Sequence, residues 1–188
     1  LLRITNDGTF QHGSAEPWIA NILAQLLIGN ATRTAIEVGG FQGRTSAVLL
    51  KAMQPLPWPK SFTVCELEQE RADMVQAALD ANGKCSYAKV VVANSLDWIP
   101  TLPAESVDFV WLDGCHEKNH VYFELTRLLP KMAPGGLICG HDVFGTCDLN
   151  QVFGLVASQV GWRSMSLDLP RIGPAGGIGI LQRPRKRH

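Results

Sequence analysis

Two short stretches of the chain close an apolar run on ionisable groups. VWLDGCHE, residues 110–117, delivers Asp113 and His116, and LICGHDVFG, residues 137–145, delivers His141 and Asp142. An unperturbed imidazole titrates at about 6.5 and is suited to removing a hydroxyl proton at neutral pH. Asp113, His116 and His141 are therefore the catalytic candidates. A third stretch, AIEVGGFQGRT at 35–45, sets Glu37 ahead of Gly39, Gly40 and Gly43, with a helix-forming run behind them. Glycine lets backbone N–H groups approach a ligand, and a helix N-terminus favours a negative group there. A dinucleotide fingerprint needs glycine where Phe41 stands, and no Walker A pattern is present, so phosphate-bearing ligands lose ground. Glu66 closes the next apolar run, where nucleoside-binding α/β folds place the acid that holds a ribose diol, and Leu67 beside it offers an apolar face to a base.

Groups so far apart in sequence need a scaffold that gathers strand ends. Five apolar runs, TAIEV, SFTVCE, KVVVA, VDFVWLD and GGLICGHD, alternate with helical patterns at SAVLLKAM, ERADMVQAALDANG, NHVYFELTRLLPKM and LNQVFGLVASQV. That alternation predicts a parallel sheet covered by helices on both faces, with ligands beyond the carboxyl ends of its strands. After Gly161, WRSMSLDL and GGIGILQR follow one another with no helix between them and read as a closing hairpin. Residues 14–29 read as an amphipathic leader helix capped by Ser14 and stopped by Gly29, a lid or packing helix and the candidate contact of a homodimer. The chain reads as one domain, with leader 1–30, core 31–183 and a short basic tail 184–188 taken as a solvated terminus.

Composition narrows the ligand. Lys and Arg number 17 and Asp and Glu 17, so the formal charge is zero, which argues against nucleic acid or an anionic membrane as partner and leaves a small molecule. Five scattered cysteines without a C-x-x-C pair indicate neither a disulfide framework nor a thiolate zinc site, and a reducing cytoplasm is the expected location. No apolar run approaches the roughly 18 residues of a spanning helix, and LLRITNDGTF is interrupted by polar residues and does not read as a signal peptide. The sequence opens at Leu1 without a methionine.

The order acid-x-G-x-x-x-G from Glu37 to Gly43 resembles the first motif of the class I S-adenosylmethionine (SAM)-dependent methyltransferases. The resemblance implies that Gly39, Gly40 and Gly43 carry the amino-acid end of SAM, with Glu37 helping to hold its ammonium. VVANSLDW at 91–98 is similar to the adenine-edge segment of that family, which implies a hydrogen bond from Ser95 to the base and cover from Trp98. An ordinary helix N-cap is the competing reading of Ser95, and the two roles can coexist. The likeness runs from about residue 30 to 183 and implies an α/β, Rossmann-like, doubly wound sheet of seven strands, mostly parallel with the last antiparallel.

The wording FVWLDGCHE...LLPKMAPGGLICGHDVFG looks like the small O-methyltransferase group that includes catechol-type and antibiotic-pathway enzymes, many of which bind a divalent metal. The likeness implies Asp113, His141 and Asp142 as metal ligands, with Asp113 also against the cofactor. Histidine departs from the all-oxygen sets that suit Mg²⁺ and makes Mn²⁺, Fe²⁺ or Zn²⁺ easier to hold. The expected cofactors are SAM and, as a candidate, Mg²⁺ or Mn²⁺; the expected reaction is methyl transfer to an oxygen of a small acceptor. Two alternatives stand: an NAD(P)-dependent oxidoreductase, against which Phe41 speaks, and a non-catalytic module that only binds the cofactor. Asp113 capping a turn with Gly114, and His141 and Asp142 satisfying loop backbone, is the structural alternative. His12 and His120 read as loop and helix-surface residues, Trp111 as core, and Phe144 through Asn150 with Trp18 as a substrate wall.

Overall fold

The computed structural model describes residues 15–83, 85–169 and 174–185. The chain runs α1 (Pro17–Gly29), β1 (Thr34–Val38), α2 (Arg44–Met53), β2 (Ser61–Glu66), α3 (Gln69–Ala81), β3 (Ala88–Val92), α4 (Ser95–Trp98), β4 (Val107–Leu112), α5 (Lys118–Leu128), β5 (Met132–Gly145), α6 (Asn150–Val160), β6 (Arg163–Leu167) and β7 (Ala175–Gln182). The strands form one seven-stranded sheet in the order β3-β2-β1-β4-β5-β7-β6. The first five pair in parallel, and β7 runs antiparallel to both β5 and β6. Order reverses between β1 and β4, and such a switch point opens a crevice at the carboxyl ends of the strands.

Side-chain alternation along the strands divides the apolar residues between two faces. Ala35, Phe62, Phe109 and Cys139 join residues of α1, α2 and α3 in one core, while Ile36, Val110 and Ile138 join α5 and α6 in the other. The strands are apolar on both faces because helices cover both, as in other parallel sheets. Each large side chain buried this way contributes roughly 1.5–3 kcal/mol.

Local boundaries differ from the sequence expectations for identifiable reasons. The Ser14 cap lies outside the described residues; α1 starts with Pro17 behind an extended Glu16, a position where proline's missing N–H costs nothing. α5 stops at Leu128 rather than running to Met132, because Pro130 cannot donate and the chain tightens into a 3-10 turn over Leu129–Lys131. β5 outruns GGLICGHD at both ends, since antiparallel pairing with β7 carries it to Gly145. Its register shifts between His141 and Phe144, and there Asp142 takes a positive φ of 54°. An irregularity of this kind re-aims side chains, here at the mouth of the crevice. Among the described residues no helix is long and apolar enough to cross a membrane, and all five cysteines are free.

Candidate active site

The crevice is a cavity of about 690 Å³ at the ends of β1, β2, β4 and β5. At one end stand the ionisable groups. His141, at the register shift of β5, has Nδ1 2.9 Å from Asp113 Oδ1 and Nε2 2.9 Å from Oε2 of Glu16, the residue before α1. Burial works against a charged imidazole, but Asp113 and Glu16 on either side push His141 up to about 11. Burial likewise opposes charge on Asp113, yet the two histidines hold its carboxyl below the usual range. His116 Nε2 lies 3.5 Å from Asp113 Oδ1 and 3.5 Å from Asp142 Oδ2, buried and without a well-formed hydrogen bond among the described residues. Against the cost of burial, Asp113 and Asp142 raise its pKa. Asp142 Oδ1 is 3.6 Å from His141 Nδ1, and burial raises its carboxyl despite the two histidines.

This donor set fits a divalent ion. Donor atoms of Asp113, His116 and His141 all lie within 4.8 Å of one another. Two ligands about 2.1 Å from one ion and at right angles stand about 3.0 Å apart, close to the 2.9 to 3.6 Å separations found here. Of the set expected from the sequence, Asp113 and His141 belong to this group, which His116 completes, while Asp142 stands at its edge, with Oδ1 3.6 Å from His141 Nδ1 and Oδ2 3.5 Å from His116 Nε2. Glu16 accepts from the far nitrogen of His141, the partner that fixes tautomer and ring orientation when an imidazole binds a metal.

The other end is built by β2, α4 and α5. Glu66 lines the cavity, and its Oε2 accepts from the N–H groups of Gly40 and Phe41 at 3.0 Å each while Oε1 accepts from Leu67 N–H at 2.8 Å. Leu67 is 64% exposed and faces the cavity as an unpaired apolar surface. The cap of α4 is Asn94, whose side chain accepts from Leu96 N–H, so Ser95 is released from the capping role. Ser95 donates instead to the buried Glu124 at 2.5 Å, and His120 Nε2 stands 3.2 Å from the same carboxylate oxygen. Burial pushes the Glu124 carboxyl up while Ser95 and His120 hold it down.

Not every expected residue reaches the cavity. Gly39 and Phe41 line it, whereas the space a side chain would need at Gly40 and Gly43 is taken by Val64, Val75 and Ala78, so these two glycines admit α3 against the loop. Gly43 also has a φ of 73° as it opens α2, a conformation that favours glycine. Glu37 is buried beneath the loop, beside Trp111 in register, and is not among the lining residues. Its burial, with Asp113 and Glu66 nearby and Ser46 opposing, pushes the carboxyl up to about 8. Trp98 packs against the α5 core instead of the cavity, as does Phe144, while Thr146 and Cys147 of the following loop do line it. Glu16 and Glu124 were not singled out from the sequence, and His120, read there as a helix-surface residue, lines the cavity instead. Glu16 carries no local signal, being 125 residues from His141. Glu124 does: it falls on the apolar stripe of Val121, Leu125 and Leu128, and a carboxylate there demands a partner.

A family model described as "Methyltransferase domain" matches residues 36–143, from β1 to the shifted register of β5 and more than half of the 188 residues. The chain belongs to this methyltransferase family. Solved structures agree on the fold. An O-methyltransferase from Streptomyces achromogenes, TomG, involved in tomaymycin synthesis and solved with SAM, superposes with a TM-score of 0.78 at 19% identity, over 92% of this chain and 82% of that one. An O-methyltransferase from Bacillus cereus, solved with S-adenosylhomocysteine (SAH), gives 0.76 at 17% identity over 92% and 84%. A SAM-dependent O-methyltransferase from Thermotoga maritima gives 0.73 at 14% identity over 95% and 69%. A search of curated protein sequences returns no match. The methyltransferase cavity therefore has an ionisable end set across from an apolar and hydroxyl-bearing one.

Proposed function

We propose that the protein transfers a methyl group from SAM to an oxygen of a small-molecule acceptor, with a divalent metal held by Asp113, His141 and Asp142 and joined by His116. The observation that carries this reading is the single cavity with two chemically distinct ends. At one, Glu66, Leu67 and Ser95 suit a ribose, a base face and a base edge; at the other, Asp113, His116 and His141 converge, with Asp142 3.5 Å from His116 and 3.6 Å from His141. Its volume of about 690 Å³ is in the range for a cofactor and a small acceptor together. When bound, SAM supplies a methyl group on a sulfonium, which an attacking oxygen displaces in line to leave SAH. A metal on this donor set supplies a positive charge that lowers the acceptor hydroxyl's pKa.

The chain's own residues do the rest. Asp113 closes β4 with its backbone and that of Gly114 against Gly39, while its carboxylate faces His141 and His116 at the ionisable end. Glu37 lies under the same loop and outside the cavity, so it bears on the cofactor only through the turn that Gly39, Gly40 and Gly43 shape. A histidine base is the second reading: His141 is held between Asp113 and Glu16, whereas His116 Nε2 stands 3.5 Å from both Asp113 and Asp142, beyond a well-formed hydrogen bond, on a side chain that lines the cavity. The leader helix contributes Glu16 to the site, and residues 31–183 carry the remainder.

Calorimetric titration of metal-stripped protein with SAH, repeated with Mn²⁺ or Mg²⁺ and with NADH as control, tests the reading. SAH binding in the micromolar range without NADH binding supports it, and a metal-binding heat lost in Asp142→Ala supports the metal over the histidine base. No SAH binding refutes it.

A further inference from the structure

Ser95, His120 and Glu124 form a cluster that neither the metal set nor the glycine loop uses. Ser95 is 8% exposed and Glu124 1%, yet both line the cavity together with His120. Arg127 ties α5 to α4 by donating from Nη1 to Leu96 O at 2.7 Å, which holds Glu124 against the start of α4. A serine hydroxyl has one proton and two lone pairs. The proton is committed to Glu124 at 2.5 Å, much closer than the 3.3 Å to His120 Nε2. Whichever tautomer His120 adopts, it occupies at most one lone pair. Ser95 therefore offers the cavity an acceptor and no donor.

We propose that Glu124, as a positioning residue, fixes Ser95 as a hydrogen-bond acceptor, so that this end of the cavity selects a 6-amino purine and rejects its 6-oxo counterpart. The inference rests on the SAM reading above, which puts the base edge at Ser95. The exocyclic amine of adenine donates and pairs with the Ser95 oxygen. The carbonyl of hypoxanthine accepts, and two acceptors facing each other at a nearly dry position leave both unsatisfied. Removing the Glu124 carboxylate frees the hydroxyl to rotate and donate, which abolishes the discrimination.

The test is calorimetric titration with SAH and with S-inosyl-L-homocysteine, which differ only in that amine. Wild type and Glu124→Gln, whose amide oxygen still accepts from Ser95, are expected to prefer SAH by about 10- to 100-fold. Glu124→Met and Ser95→Ala are expected to fall within about threefold for the two ligands, with a thermal melt confirming the fold. A merely structural Glu124 would weaken both ligands alike and leave the ratio intact. A wild-type preference that survives in folded Glu124→Met overturns the inference, and if that variant does not fold, survival in Ser95→Ala does so. SAH binding by the wild type without any preference overturns this inference alone; no SAH binding overturns the proposed function and this inference with it.

Discussion

Glu37 gives the most quantitative expectation. Its carboxyl is pushed up to about 8, first by burial and then, against the Ser46 hydroxyl, by Asp113 and Glu66, from an ordinary value of 4.5. Between those values the folded chain keeps a proton that the unfolded chain releases, so stability falls as pH rises through the window. Integrated from pH 5 to 8, a shift of this size costs about 3 kcal/mol. Glu37→Gln has nearly the same shape and no charge to bury. The two proteins should be about equally stable at pH 5, and the variant more stable by about 3 kcal/mol at pH 8, or about 6–12 °C in Tm for a domain of this size. Other groups titrate in the same range, His141 among them, but they are common to both proteins and cancel in the difference. Thermal or urea unfolding of both across pH 5–8 measures it. Parallel stability curves, or a variant that is less stable at pH 8, would refute a buried neutral acid at this position.

The remaining expectations concern packing and the site. Gly40→Ala puts a Cβ 2.6 Å from Val75 and 2.7 Å from Val64, and overpacking of that kind should cost about 1–3 kcal/mol, read as a lowered urea midpoint. Glu16→Gln removes the anionic acceptor behind His141 and should weaken metal binding about 10- to 100-fold while leaving SAH affinity unchanged, both read by calorimetry. Asp142→Ala should lower methyl transfer about 100-fold or more without loss of SAH binding, read as SAH formed per unit time. Lys118→Ala breaks the exposed 3.1 Å pair with Asp148 and should change stability by less than about 1 kcal/mol, read by thermal melting.

Much of this was legible in the residues. The apolar runs and their glycine and proline punctuation gave the parallel strands, because strands buried on both faces leave no alternation to misread. Asp113, His116, His141 and Asp142 were visible as ionisable groups at the ends of two neighbouring apolar runs, and the structure brings them to one end of the cavity. Glu16 was illegible because its partner is brought by tertiary packing of α1, with no trace in local spacing. Trp98 was overread: a wide aromatic ring after α4 is as useful to the α5 core as to a ligand, and the core took it. Glu124 stood in plain view on an apolar helical stripe, but His120 beside it read as surface, and the pair makes sense only with Ser95 between them.

Glu66 serves two parts of the molecule through one carboxylate. It accepts from the N–H groups of Gly40, Phe41 and Leu67 and so holds the glycine loop in shape through bonds made within the chain, and binding need not freeze a floppy segment. The same arrangement constrains divergence. If Glu66 holds the ribose as proposed, a substitution there to admit a different sugar would also unfasten the glycine turn, so a change of nucleoside preference is expected from other positions along the cavity wall.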